Sequence, residues 1–178
     1  QTGITVAKAL ARFALKHPGV FVFNNAHVTT NGRIKLHHVV IIGRNVLVVE
    51  DKTWDSGHDY EMLPGVALQD KKMFRNGNIR VLEKIEHIRR ALKNVDVNVQ
   101  GFVVVNINHG SIYCHPGSVA AIPVWDLENV LEQALCNDGI LKGWIVEAKS
   151  EPENKNFVAD YIYEPAVREV HSKLVSDS

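Results

Sequence analysis

The segment from Ile34 to Lys52 constrains the fold of this chain more than any other. Ile34 to Ile42 is a β-rich run, Gly43-Arg44-Asn45 supplies a tight turn, and Val46 to Val49 returns as a second apolar run that leads straight into Glu50-Asp51-Lys52. Two such runs about a glycine-containing turn predict an antiparallel strand pair. Because alternate residues of a strand share a side, Glu50 and Lys52 emerge together at its end while Asp51 faces away. The paired strand offers Lys35, His37 and His38 nearby.

Elements on either side of this hairpin alternate between helical and extended patterns. Residues 4–16 place Val6, Leu10, Phe13 and Ala14 on one stripe with cations between them, an amphipathic helix that His17-Pro18-Gly19 stops. Val20 to Phe23 is β-rich, and Asn24-Asn25 and Thr29-Thr30-Asn31-Gly32 carry turn chemistry. From Thr53 to Asn78 the pattern supports only loop with one or two short strands. Residues 79–93, with Val81, Leu82, Ile85, Ile88 and Leu92 among charges, read as a second helix. Phe102 to Ile107 looks like a strand covered on both faces. Val119 to Val124 and Ile140 to Val146 are further strand candidates, Leu127 to Leu135 a third helix, and Pro165 to Leu174 a final short one. The order predicts an α/β, three-layer domain, a mixed central sheet flanked by helices. Residues 1–149 would form that domain. Residues 150–178 would add a polar linker and a C-terminal helix packing on it.

A length of 178 residues with 46% hydrophobic content fits one globular core. No run approaches the ~20 apolar residues that span a bilayer, and no leader pattern opens the chain, so a soluble, cytoplasmic protein is expected. The first residue is Gln, which suggests a piece of a longer chain with further domains. Cys114 and Cys136 show no CxxC spacing and read as free or buried thiols. Charge is uneven. Residues 1–49 contain no Asp or Glu but hold Lys8, Arg12, Lys16, Arg33, Lys35 and Arg44. A basic segment beside an acid-bearing corner suits a nucleic-acid partner, DNA or RNA, with Lys8, Arg12, Arg33 and Lys35 as candidate phosphate contacts. The plainer reading is a solvated helix face and two turns.

Phosphodiester hydrolysis at neutral pH calls for a divalent cation to activate water and usually a lysine to steady it, so a carboxylate with a lysine is the minimal kit. At this point the residues resemble a known family. Val22-Phe23-Asn24-Asn25, then Leu36-His37-His38-Val39-Val40-Ile41-Ile42-Gly43 through Val49-Glu50-Asp51-Lys52-Thr53-Trp54, then Gly57, is similar to the nuclease-related (NERD) domain. That family is a branch of the restriction-endonuclease-like PD-(D/E)xK superfamily. The resemblance implies a restriction-endonuclease-like fold over about residues 3–125. It implies Glu50 and Lys52 as catalytic residues, His37 and Glu50 at a Mg or Mn position, and His38 and Trp54 as supporting residues. In the second helix, the nearest polar stand-in for the family's Gln is Glu83, with the alignment slipping by one residue.

The departures matter as much. His37 stands where the family carries a metal-binding Asp, and no acid follows Gly3 near Ile4 or Thr5. One carboxylate is a poor cage for Mg²⁺, whereas imidazole suits Mn²⁺ better. Two functions therefore compete: a divalent-metal-dependent nuclease, or an inactive nucleic-acid-binding or protein-interaction module on the same fold. His37 and His38 also read as ordinary sheet residues, and Glu50 with Lys52 as a strand-end ion pair. A second Glu-x-Lys, Glu147-Ala148-Lys149 with Asp138 upstream, leaves little room for two strands and a turn and ranks well below the first as an alternative site. His27, His58, His87, His109, His115 and His171 show no metal-ligand spacing.

Overall fold

A computed structural model of the chain describes residues 2–28, 34–74, 80–136 and 174–176. Arg33, Asp138, Glu147, Lys149, His171, the expected strand 140–146 and the polar linker lie outside the described residues. The expected helix 165–174 also lies outside them up to its last position. Leu174 opens a strand instead.

Helix α1 (Thr2–Lys16) forms as the stripe predicts. Val6, Leu10 and Phe13 are buried, and the helix ends where Pro18 cannot continue it and Gly19 turns the chain at φ +98°. Strands β1 (Phe21–Val28), β2 (Ile34–Ile42) and β3 (Asn45–Thr53) follow as an antiparallel meander. Gly43, at φ +58°, takes the first position of the two-residue hairpin loop, where a left-handed φ favours glycine. Strands β4 (Asp59–Leu63), β5 (Val66–Gln69) and β6 (Lys72–Met73) precede helix α2 (Arg80–Ala91). Then come β7 (Asn98–Asn106), β8 (Ser111–Cys114), β9 (Ala121–Pro123), α3 (Leu127–Cys136) and β10 (Leu174–Ser176).

The main sheet runs β10-β1-β2-β3-β7-β9, with β3, β7 and β9 parallel and the rest antiparallel. Strand β3 lies between β2 and β7 and is buried from Asn45 to Asp51. This explains why Val46 to Val49 shows no polar alternation. One core, beneath α1 and α3, gathers Leu10, Phe13, Val40, Leu47, Val49, Phe102 and Leu131. The other, beneath α2, gathers Val39, Val46, Val48, Val81, Ile85, Ile88 and Val103. These are the three expected layers around a mixed sheet. Among the described residues, no helix is long and apolar enough to cross a membrane.

A second sheet, β6-β5-β4-β8, closes the α2 side through Tyr60, Met62 and Ala67. The stretch expected to be mostly loop supplies three of its strands. Tyr60 and Phe74 pack on Trp54, with ring centroids 4.8 and 5.1 Å away. On its outer side the Lys71 ammonium and His115 hold the Glu61 carboxyl below its usual range. The Asp59 backbone N–H and then His58 do the same for Asp70. Carboxyls whose folded values are depressed add stability above their unfolded values and lose it as pH falls. Acid titration followed by amide exchange is expected to loosen this sheet as pH drops below about 4.

Ile85 of helix α2 packs so closely over β7 at Gly101 that no side chain fits there. A Cβ at this position would lie 2.8 Å from Ile85 Cδ1 and 2.9 Å from the Val48 carbonyl oxygen. Gly101→Val is expected to cost about 1–3 kcal/mol through overpacking, measured by urea denaturation.

Candidate functional site

A kink in β1 shapes the end of the hairpin. Asn25 adopts φ +50°, and the β1–β2 pairing passes from Asn24–His38 to Ala26–Leu36 without a bridge at Asn25–His37. Beyond the kink, Ala26 and Leu36 pack in the α2-side core, out of step with the alternation that Phe23 and Val39 set. Asn24-Asn25 thus bends a continuous strand, where the sequence suggested a turn. On the other flank, β2–β3 pairing ends at His38–Val49, while β3 stays paired to β7 through Thr53. The splayed end is closed by a side chain. The Asp51 backbone N–H donates to His37 Nδ1 at 3.1 Å, standing in for a ladder bond.

The two faces of β3 carry different clusters. Glu50 and Lys52 share the α2 side with Val46 and Val48, as the two-residue period predicts, and Asp51 points the other way. Glu50 is deeply buried, its side chain only 3% exposed. Lys84 of α2 donates to its Oε1. Its Oε2 is buried without a hydrogen-bond partner and lies 3.6 Å from His37 Nδ1. The His37 side chain is 37% exposed, and burial pushes its imidazole below the ordinary histidine range, the Glu50 carboxylate opposing in part. Lys52 is half-buried, about 6.6 Å along the strand from Glu50. On the far face, buried His38 bridges Asp51 Oδ2 at 2.9 Å and Asn24 Oδ1 at 2.6 Å.

The hairpin therefore brings His37 to Glu50, with Lys52 two residues further along the same strand. It places His38 behind them as a brace and Trp54 in the adjoining aromatic cluster. Other expected residues lie apart. Glu83 is exposed, off the buried stripe of α2, and its neighbour Lys84 is the helix residue that reaches Glu50. Sequence reasoning missed Lys84, although its spacing three after Val81 and four before Ile88 put it on the packed side. Lys8 and Arg12 are exposed on α1, whose core lies on the opposite face of the sheet from Glu50. Lys35 is exposed near the start of β2.

A metal bound by His37 would need a ring lone pair. That of Nδ1 is taken by the Asp51 N–H, and coordination through Nε2 would move the ring proton to Nδ1, donor against donor. Lys84 covers one Glu50 oxygen, which leaves Oε2 alone where Mg²⁺ wants about six oxygens. His37 and Glu50 as placed do not fit the Mg or Mn that the resemblance implies. Among the described residues, no three His, Cys, Asp or Glu side chains are arranged to hold a metal ion.

Comparison with known proteins bears on the same hairpin. The family described as the nuclease-related domain, NERD, matches residues 4–106, a span that runs from α1 through β7 and includes the whole corner. Searches of curated proteins and of solved structures return no match. With more than half of its 178 residues matched, the chain belongs to the nuclease-related domain family.

Proposed function

We propose that this nuclease-related domain binds nucleic acid, DNA or RNA, through its phosphates, without cleaving it by a metal held at His37 and Glu50. The observation that carries this reading is the Lys84–Glu50 pair. On the α2 side of β3 one acid stands with two lysines and a neutral imidazole, a net charge of about +1, while Asp51 is turned to the other face against His38. A divalent cation is repelled by that charge and a phosphodiester is attracted. Exposed Lys8, Arg12 and Lys35 add cations elsewhere on the surface.

A second reading keeps the hydrolytic function: Glu50 would hold a divalent metal, which would supply an activated water, and Lys52 would steady that water. The unpartnered Glu50 Oε2 favours it. Fluorescence anisotropy with labelled single- and double-stranded oligonucleotides tests the first. Binding is expected in EDTA, weakening as salt rises, with Lys52→Glu lowering the log–log salt slope by about 0.7–0.9 for every phosphate no longer neutralised and Lys8→Glu, on the opposite face of the sheet, leaving it nearly unchanged. Absence of binding at low salt overturns the nucleic-acid reading and leaves a protein-interaction role.

A further inference from the structure

We propose that His37, Lys52 and Lys84 form a phosphate subsite in the place where the family pattern calls for a metal, with His37 as a neutral N–H donor rather than a ligand. The inference deepens the nucleic-acid reading and rests on it for the source of the phosphate.

The ring of His37 is oriented by the main chain of the neighbouring strand. Its Nδ1 accepts the Asp51 N–H, so in the neutral ring the proton sits on Nε2. Among the described residues, that Nε2–H has no acceptor, and the ring is partly open to solvent. The tautomer is held in place from behind. Asp51 fixes its backbone by sending its carboxylate to His38, which is braced in turn by Asn24. The same residue thus anchors one histidine through its side chain and orients the other through its main chain.

Charge decides which ligand suits this donor. Lys52 makes no ion pair among the described residues and stands one step along the strand from Glu50. Lys84 neutralises Glu50 and occupies the position beside the carboxylate where a cation is wanted, and among the described residues its ammonium has no second carboxylate partner. Two lysines on this side of β3 and a fixed imidazole N–H offer donors to an anionic oxygen, whereas on this side, among the described residues, the unpartnered carboxylate oxygen open to a divalent cation is Glu50 Oε2. A tetrahedral phosphate, as a diester in a nucleic-acid strand or as the free ion, is the chemistry that matches.

Long-range ¹H–¹⁵N spectra of the imidazole rings of the whole chain test this, with inorganic phosphate, a short oligonucleotide and Mn²⁺ as separate probes. The free protein is expected to show His37 protonated at Nε2. The oligonucleotide should shift the His37 ring, inorganic phosphate should do so at higher concentration, and Mn²⁺ alone should leave it unbroadened. Lys52→Ala is expected to weaken the oligonucleotide about tenfold, and Lys52→Arg to retain most of the affinity. Two results overturn the subsite alone: an Nδ1-protonated ring or Mn²⁺ broadening, and full oligonucleotide affinity without a His37 shift. A response to phosphate with no oligonucleotide binding supports the subsite and overturns the nucleic-acid reading. No response to either overturns both.

Discussion

Replacing Lys84 by alanine is expected to destabilise the domain by about 3–5 kcal/mol, because it leaves the Glu50 carboxylate buried without its cation. Removing a buried partner costs far more than the intact pair contributes, since the remaining charge loses both water and its counterion. The diagnostic experiment is the double variant. Lys84→Met with Glu50→Gln removes both charges and should recover most of the stability in urea denaturation, whereas independent sites would add their losses. Exposed pairs give a control. Lys16 and Glu128 are 3.5 Å apart with both side chains more than half exposed, and removing either partner should cost under about 1 kcal/mol.

His38→Ala is the second large effect, about 3 kcal/mol, because it removes the hydrogen-bond partner of a buried carboxylate on the opposite face of β3. The Asp51 side chain is 5% exposed, its Oδ2 is held by His38, and its Oδ1 has no partner. Losing the ring strands the whole carboxylate and opens a cavity beside Asn24. The effect should pass through the strand, because Asp51 also orients His37. Backbone amide exchange at Asp51 is therefore expected to speed up beyond the change at the distant β5 strand. Equal acceleration at both places would mean global loss of stability with no local link.

The hairpin is legible in the sequence because its two apolar runs and glycine turn are local signals, and because strand period alone fixes which side Glu50, Asp51 and Lys52 face. The second sheet is hidden by shortness and by its turn. Asp70 and Lys71 take φ +50° and +70° between paired Gln69 and Lys72, a two-residue turn of the kind that usually advertises itself with Asn-Gly. Pro64-Gly65 between paired Leu63 and Val66 is the available clue. The kink at Asn25 shows the converse, turn chemistry used inside a strand.

At the site, sequence motifs name the residues that share one strand and miss the one that crosses from a helix. The Lys84–Glu50 pair joins residues 34 positions apart and follows from how α2 lies on β3 and β7, which no spacing encodes. The acid-free N-terminal segment is equally visible, but its Lys8 and Arg12 belong to the α1 layer while Glu50 and Lys52 face α2. Charge counted along the chain is not charge gathered on one surface.

The central claim, that the corner of this nuclease-related fold works as a cation-filled phosphate site and not as a metal site, is tested most directly by a metal titration with a cleavage readout. The wild-type chain is assayed beside the variant carrying His37→Asp and Lys84→Gln, on single- and double-stranded substrates with Mg²⁺ or Mn²⁺. The wild type is expected to leave both substrates intact at every metal concentration while still binding them, and the double variant, whose corner changes by two charge units toward negative, to bind Mn²⁺. Metal-dependent cleavage by the wild type that disappears in Lys52→Ala would contradict the claim.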